Sequence, residues 1–249
     1  MERHVQRYSV NVRQGNWVED AWSQSVVLDT AEEFLRYGQD AQIVCPDFRF
    51  PIVSGGGGVV LSCSAGNSDT PDGLGPDCTL TASEFTEPCV RNCFKISGLL
   101  NGCEDGQPVK FGDTFNIIPC VSSKPLFAAV VIPRLHEEDR ALCGHAAVKL
   151  SGSPDSRCRW TVEYWNGKWR MEAEGLPVPI GTRVVVKHAD TDLNLAVEKE
   201  TRFSHFFGNE FEVSAYSYKD SAGCEAVQNV WQFVTSSGGR TGGDDGKTT

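Results

Sequence analysis

The chain has no apolar run long enough to cross a bilayer. Its longest, Leu126 to Ile132, is seven residues, against the roughly 20 that a membrane-spanning helix needs. Positive charge is scarce too: 23 Lys and Arg stand against 33 Asp and Glu, a formal charge of −10. Bulk electrostatics therefore does not hold this chain to nucleic acid or to an anionic membrane, and an acidic partner must be met through shape and local contacts. No Asn-x-Ser/Thr acceptor occurs, and Met1-Glu2-Arg3-His4 opens no apolar signal segment, so the expectation is a life outside the secretory route. Catalytic fingerprints are missing as well: there is no Gly-x-Ser-x-Gly elbow, no His-Glu-x-x-His pair and no dinucleotide-binding glycine pattern. Gly55 to Gly58 is a glycine run with no Gly-Lys-Ser/Thr behind it, which suits a hairpin loop rather than a phosphate cradle.

Cysteine is the residue in excess, with 10 in 249. A disulfide scaffold belongs to short secreted chains, and this chain is neither. Cys89 and Cys93, with Cys103 and Cys120 downstream, could be read as zinc ligands, but they make one loose pair where structural zinc uses two tight ones. Reduced, mostly buried thiols are the expectation, with no metal and no cofactor. His188, Asp190 and Asp192 could hold a cation or a sugar, yet an Asp-rich turn is equally expected between two strands. His136 to Asp139 reads as a solvated charged loop. Cys143-Gly144-His145 sets a thiol beside an imidazole in sequence, which says little, because folds rather than neighbours assemble catalytic pairs. No catalytic site is expected.

What the sequence does contain is a threefold repeat. Tyr37-Gly38, Phe111-Gly112 and Ile180-Gly181 each open a segment of period-two alternation. Ala41 and Ile43, Phe115 and Ile117, and Val184 and Val186 follow at equal offsets, then Ile52, Leu126 and Leu195. Each segment closes on an aromatic and an apolar residue two further on: Phe94 and Ile96, Trp160 and Val162, Trp231 and Phe233. Strands that bury one face, repeated three times, need a common axis. A β-trefoil satisfies this, with a barrel closed at one end by hairpins and the aromatics filling its middle. Asn166-Gly167 predicts a two-residue hairpin turn, and Thr30 with Glu33 predicts a capped helix over Ala31–Arg36. The expected organisation is an N-terminal arm with that helix over 1–35, an all-β trefoil over 36–235, and a flexible tail over 236–249. The repeats run about 36–97, 110–165 and 179–235.

Gly181 to His188, with Thr191 and Leu195, resembles the MIR-type β-trefoil repeat. Glu174 to Pro179, Phe207-Gly208-Asn209-Glu210, Trp231 to Thr235 and the opening Val12 to Asp20 together resemble the cilia- and flagella-associated protein 161 family. That resemblance implies a structural microtubule inner protein without catalytic activity, lying in the A-tubule lumen of axonemal doublets. Its implied partners are tubulin and neighbouring inner proteins. Arg13, Gly15, Asn16, Trp17, Glu19 and Asp20 match the family's arm, and with Trp22 they are the candidate docking residues. Both tryptophans fall outside the repeat pattern, so the barrel has no evident need of them. The alternative is a carbohydrate- or peptide-binding MIR-type module.

Overall fold

The computed structural model describes residues 22–28, 32–49, 58–64, 75–99, 103–120, 127–131, 141–205 and 207–235. Twelve antiparallel strands run through them, four to a repeat. The first repeat holds β1 (Asp40–Cys45), β2 (Val59–Cys63), β3 (Leu80–Ser83) and β4 (Phe94–Gly98). The second holds β5 (Thr114–Pro119), β6 (Phe127–Val131), β7 (Ala146–Ser151) and β8 (Trp160–Tyr164). The third holds β9 (Val184–His188), β10 (Leu195–His205), β11 (Gly208–Ala215) and β12 (Gln232–Val234).

The outer strands of each repeat close a barrel in the order β1-β4-β5-β8-β9-β12 and back to β1. Its last joint is a pair of hydrogen bonds between Val184 and Trp231, at 2.8 and 2.9 Å. The inner strands make three hairpins, and β11 pairs with both β3 and β7 to cap one end. This is the β-trefoil that the repeats predict.

The glycines carry the local logic. Gly38, Gly112 and Gly181 sit at φ of +77°, +90° and +74°, a region that costs other residues about 1–2 kcal/mol. Each donates its N–H to the closing strand of its own repeat: Gly38 to Ile96, Gly112 to Val162 and Gly181 to Phe233, at 2.8 to 3.0 Å. Three residues before each glycine lies a further threefold position, Leu35, Val109 and Val178, all wholly buried. Their backbones form a closed ring: Leu35 donates to Val178, Val178 to Val109 and Val109 to Leu35, at 2.8 to 2.9 Å. A second ring runs the other way at 3.0 Å, from Tyr37 to Gln107, Phe111 to Leu176 and Ile180 to Glu33. Six bonds thus satisfy the backbone of three crossing segments that would otherwise bury bare amides.

The predicted core columns are inside. Phe94, Trp160 and Trp231 are fully buried, as are Ala41, Ile43, Phe115, Ile117, Val184 and Val186. The indole N–H groups of Trp160 and Trp231 reach the carbonyls of Ala128 and Leu195 at 2.8 and 2.9 Å, so neither ring buries an unpaired donor. Ile52 and Leu126 lie outside the described residues, as do the glycine run's first three members, His136 to Asp139 and the tail.

Two local expectations give way to tertiary structure. Residues 32–36 are extended rather than helical, bridged through Phe34 to Pro179 and through Arg36 to Pro108. The Leu35 and Tyr37 amides are taken by the two rings, which leaves neither for an i to i−4 ladder. Asn166-Gly167 is not a hairpin turn either. Trp160 to Tyr164 pairs with His188 to Val184, and Asn166 instead caps a helical excursion by accepting the Lys168 N–H at 3.1 Å.

Candidate functional site

Of the candidate docking residues, Arg13, Gly15, Asn16, Trp17, Glu19 and Asp20 lie outside the described residues. Trp22 lies within them, and its position corrects the expectation that the barrel has no need of it. It is 2% exposed and stacks on Phe207, with ring centroids 5.9 Å apart and planes within 11°. The guanidinium of Arg91 covers the same Phe207 ring at 4.1 Å and makes a buried ion pair with Glu210. Ser83, the Cys63 carbonyl and Thr81 complete this set, with Thr81 donating to Glu210 at 2.6 Å. Trp22 thus roofs a buried polar network that ties the first hairpin to the third. Its side chain is a core element, not a contact left open for a partner.

Three exposed apolar groups lie close together in sequence elsewhere. Between β8 and β9 the chain makes a helical excursion through Arg170–Ala173, and on it Trp169, Met171 and Leu176 are 57%, 88% and 56% exposed. Arg170 pins this excursion to the barrel through the Tyr164 carbonyl at 2.9 Å, Glu225 at 2.7 Å and Glu163 at 3.0 Å. Tryptophan and methionine shown to solvent on a pinned element suit an interface, where both are enriched.

Among the polar candidates, His188 is a core residue. Its imidazole contacts Thr191 Oγ1 at 2.8 Å and the Arg157 carbonyl at 3.0 Å, and burial holds its pKa below the usual histidine value. Asp190 and Asp192 are exposed turn residues, with Asp192 at φ +57°. Cys89, Cys93, Cys103 and Cys120 do not converge on one point. Among the described residues, the group whose donor atoms do is Cys143, His145 and Glu198, all within 4.8 Å of one another. His145 Nδ1 lies 2.9 Å from Glu198 Oε1, and Tyr218 donates to Glu198 Oε2 at 2.7 Å. His145 also stacks on Tyr216, 3.8 Å between centroids. Burial, together with Glu198 and Glu212, pushes the free Cys143 thiol up to about 12. A free thiol so protonated is a poor nucleophile at neutral pH, despite the imidazole next to it.

Comparison with known proteins places this architecture. Residues 138–236, which include the third repeat and the Cys143–His145 turn, match the model of the cilia- and flagella-associated protein 161-like domain. A relative named cilia- and flagella-associated protein 161 in Danio rerio is 26% identical over 277 aligned residues, covering 93% of this chain and 89% of the relative. The chain is similar to cilia- and flagella-associated protein 161 along nearly its whole length. A second relative of that name, from Mus musculus, is 31% identical over 173 residues, covering 66% of this chain and 55% of the relative. Among solved structures, the SDF2-like protein from Arabidopsis thaliana superposes with a TM-score of 0.57 at 15% identity, covering 81% of this chain and 94% of that one. The Saccharomyces cerevisiae protein O-mannosyltransferase Pmt1-Pmt2 complex bound to the sugar donor gives 0.51 at 13%, over 83% of this chain and 26% of that one. These two share the family's MIR-like trefoil and, at such identity, the fold alone.

Proposed function

We propose that this chain is a structural, non-catalytic microtubule inner protein of cilia and flagella. It binds the luminal face of the A-tubule in axonemal doublets and contributes to doublet stability and motility. The observation that carries the reading is similarity across nearly the whole chain: the Danio rerio relative, named for cilia and flagella, aligns over 93% of it. A cilium-related role follows from that kinship; the luminal position and the tubulin contact are the finer proposal.

Charge and exposure suggest how docking would work. Residues 1–18 carry three arginines and one glutamate, a basic segment on an acidic chain and the part that an acidic tubulin lattice would attract. Trp17 supplies a large, rigid anchor of the kind that dominates interfaces. The pinned excursion bearing Trp169 and Met171 offers a second apolar contact to tubulin or to a neighbouring inner protein. The test is salt extraction of axonemes carrying full-length protein. Wild type is expected to stay with salt-washed doublets, whereas Trp17→Ala elutes at lower salt with an unchanged melting temperature. Full retention of folded Trp17→Ala overturns the arm contact. A cryo-electron map of native doublets without this trefoil in the A-tubule lumen overturns the luminal position.

A further inference from the structure

We propose that Cys143, His145 and Glu198 form a binding site for a zinc-type divalent cation between the second and third lobes, with solvent supplying the fourth ligand. The donor set argues for the class of ion. One sulfur, one imidazole nitrogen and one carboxylate oxygen suit zinc, whereas calcium and magnesium select oxygens. A thiolate and a carboxylate also balance the two positive charges of such a cation.

The geometry is close to what coordination needs. Ligand atoms around a tetrahedral zinc stand about 3.3–3.7 Å apart, and these three already lie within 4.8 Å of one another. His145 Nδ1 and Glu198 Oε1, now 2.9 Å apart, must part by about half an ångström as the cation takes the hydrogen's place. Side-chain rotation suffices. On binding, the Cys143 thiol gives its proton to the buffer and His145 ligates through a bare Nδ1 with its hydrogen on Nε2.

The surroundings are built to hold these donors. Cys143 and His145 sit on a turn closed by Ala141, whose N–H meets the His145 carbonyl at 3.1 Å and whose carbonyl accepts from Gly144 at 2.9 Å. Buried Glu212 clamps that turn from β11, accepting the Leu142 and Cys143 N–H groups at 2.7 and 2.9 Å. Glu198 comes from β10 where its register against β11 slips, between Val197 and Arg202. Such bulges redirect side chains beside functional sites. Ser214 and Tyr218 both donate to Glu198, the outer-shell support typical of ligating carboxylates. His145 remains a quarter exposed, which leaves water a route to the open position.

The bland alternative is a Tyr218–Glu198–His145 network that tethers the turn and binds no ion. The two readings separate on the full-length chain, kept reduced with a phosphine, loaded with zinc sulfate and dialysed before metal analysis. Wild type is expected to retain one zinc per chain; Cys143→Ser and His145→Gln lose it, and Cys224→Ser, at an exposed thiol elsewhere, keeps it. Cobalt(II) in place of zinc gives a near-ultraviolet thiolate charge-transfer band that Cys143→Ser abolishes. Tyr218→Phe keeps the ligands but weakens binding by about 10–100-fold. Wild type without zinc above the buffer blank overturns the site, as does undiminished zinc in folded Cys143→Ser. If a ligand variant fails to fold, wild-type stoichiometry and the cobalt spectrum decide.

Discussion

Trp22→Ala separates the core from the docking arm. The ring is 2% exposed, and its removal takes away the stacking partner of Phe207, the ring that Arg91 also covers. An indole buries about 150–250 Å², which at about 25 cal/mol per Å² is worth roughly 4–6 kcal/mol. Truncation of buried tryptophans costs about 3–5 kcal/mol, in fair agreement. For a chain of this length each kcal/mol moves the melting temperature by about 2–4 °C, so the expected fall is about 6–20 °C. The loss stays below the 5–15 kcal/mol that holds typical domains, and the variant remains folded at 25 °C in all but the weakest case. Differential scanning fluorimetry of Trp22→Ala beside Trp169→Ala provides the assay. The second residue is an exposed tryptophan, and its loss is expected to change stability by no more than about 0.5 kcal/mol. Axonemal retention of Trp22→Ala, normalised to folded protein, should equal wild type. A melting temperature unmoved by Trp22→Ala would falsify the packing of this ring against Phe207.

Three further outcomes are expected. Gly181→Ala meets no atom within 4 Å, so its cost is the backbone strain at φ +74° alone, about 1–2 kcal/mol; a denaturation midpoint at or above wild type refutes the strained turn. Stability declines as pH falls: His188 is held below its usual 6.5 by burial, so the unfolded chain takes up its proton first and stability drops from about pH 6.5 downward. His188→Gln should flatten that limb of the melting profile. Glu225 adds a second decline below its usual 4.5, because Lys219 and Arg170 outweigh its burial and lower its pKa; Glu225→Gln should remove it. In native alkylation Cys224 reacts first and Cys103, Cys120 and Cys143 more slowly. Cys45, Cys63, Cys78, Cys89, Cys93 and Cys158 react only on unfolding, and rapid native labelling of any of these six contradicts its burial.

The fold was legible because its rule is local and repeated. An apolar residue and glycine, an alternating strand and an aromatic closure recur three times, and each position does the same work in every repeat. Leu35, Val109 and Val178 were equally open to reading, as an apolar residue three before each glycine, but their meaning lies in hydrogen bonds between repeats. The misread segments are those where a short motif competes with such long-range bonds. Thr30 with Glu33 favours a helix, yet the ring removes the amides the helix needs. Asn166-Gly167 favours a hairpin, yet β8 already has β9 as its partner. Trp22 looked dispensable because its neighbours, Phe207 and Arg91, come from distant segments. The Cys143–His145 pair was visible, but Glu198, the residue that turns it into a converging set, lies 53 residues from His145.

Barrel closure sets a timetable for synthesis. β1 finds its last partner in β12, through Gln42 with Val234 and Ile43 with Phe233, so residues about 190 positions apart must meet. At about 5–20 residues per second, a ribosome needs roughly 10–40 s to make the intervening chain. Through that interval β1 carries an open edge of the kind that recruits stray strands. The first two lobes cannot complete either amide ring, because Leu35 donates to Val178 and Ile180 donates to Glu33. A nascent chain halted after the second lobe is therefore left with bare amides and an unsealed barrel. The third lobe is thus the one that seals both rings and the barrel together.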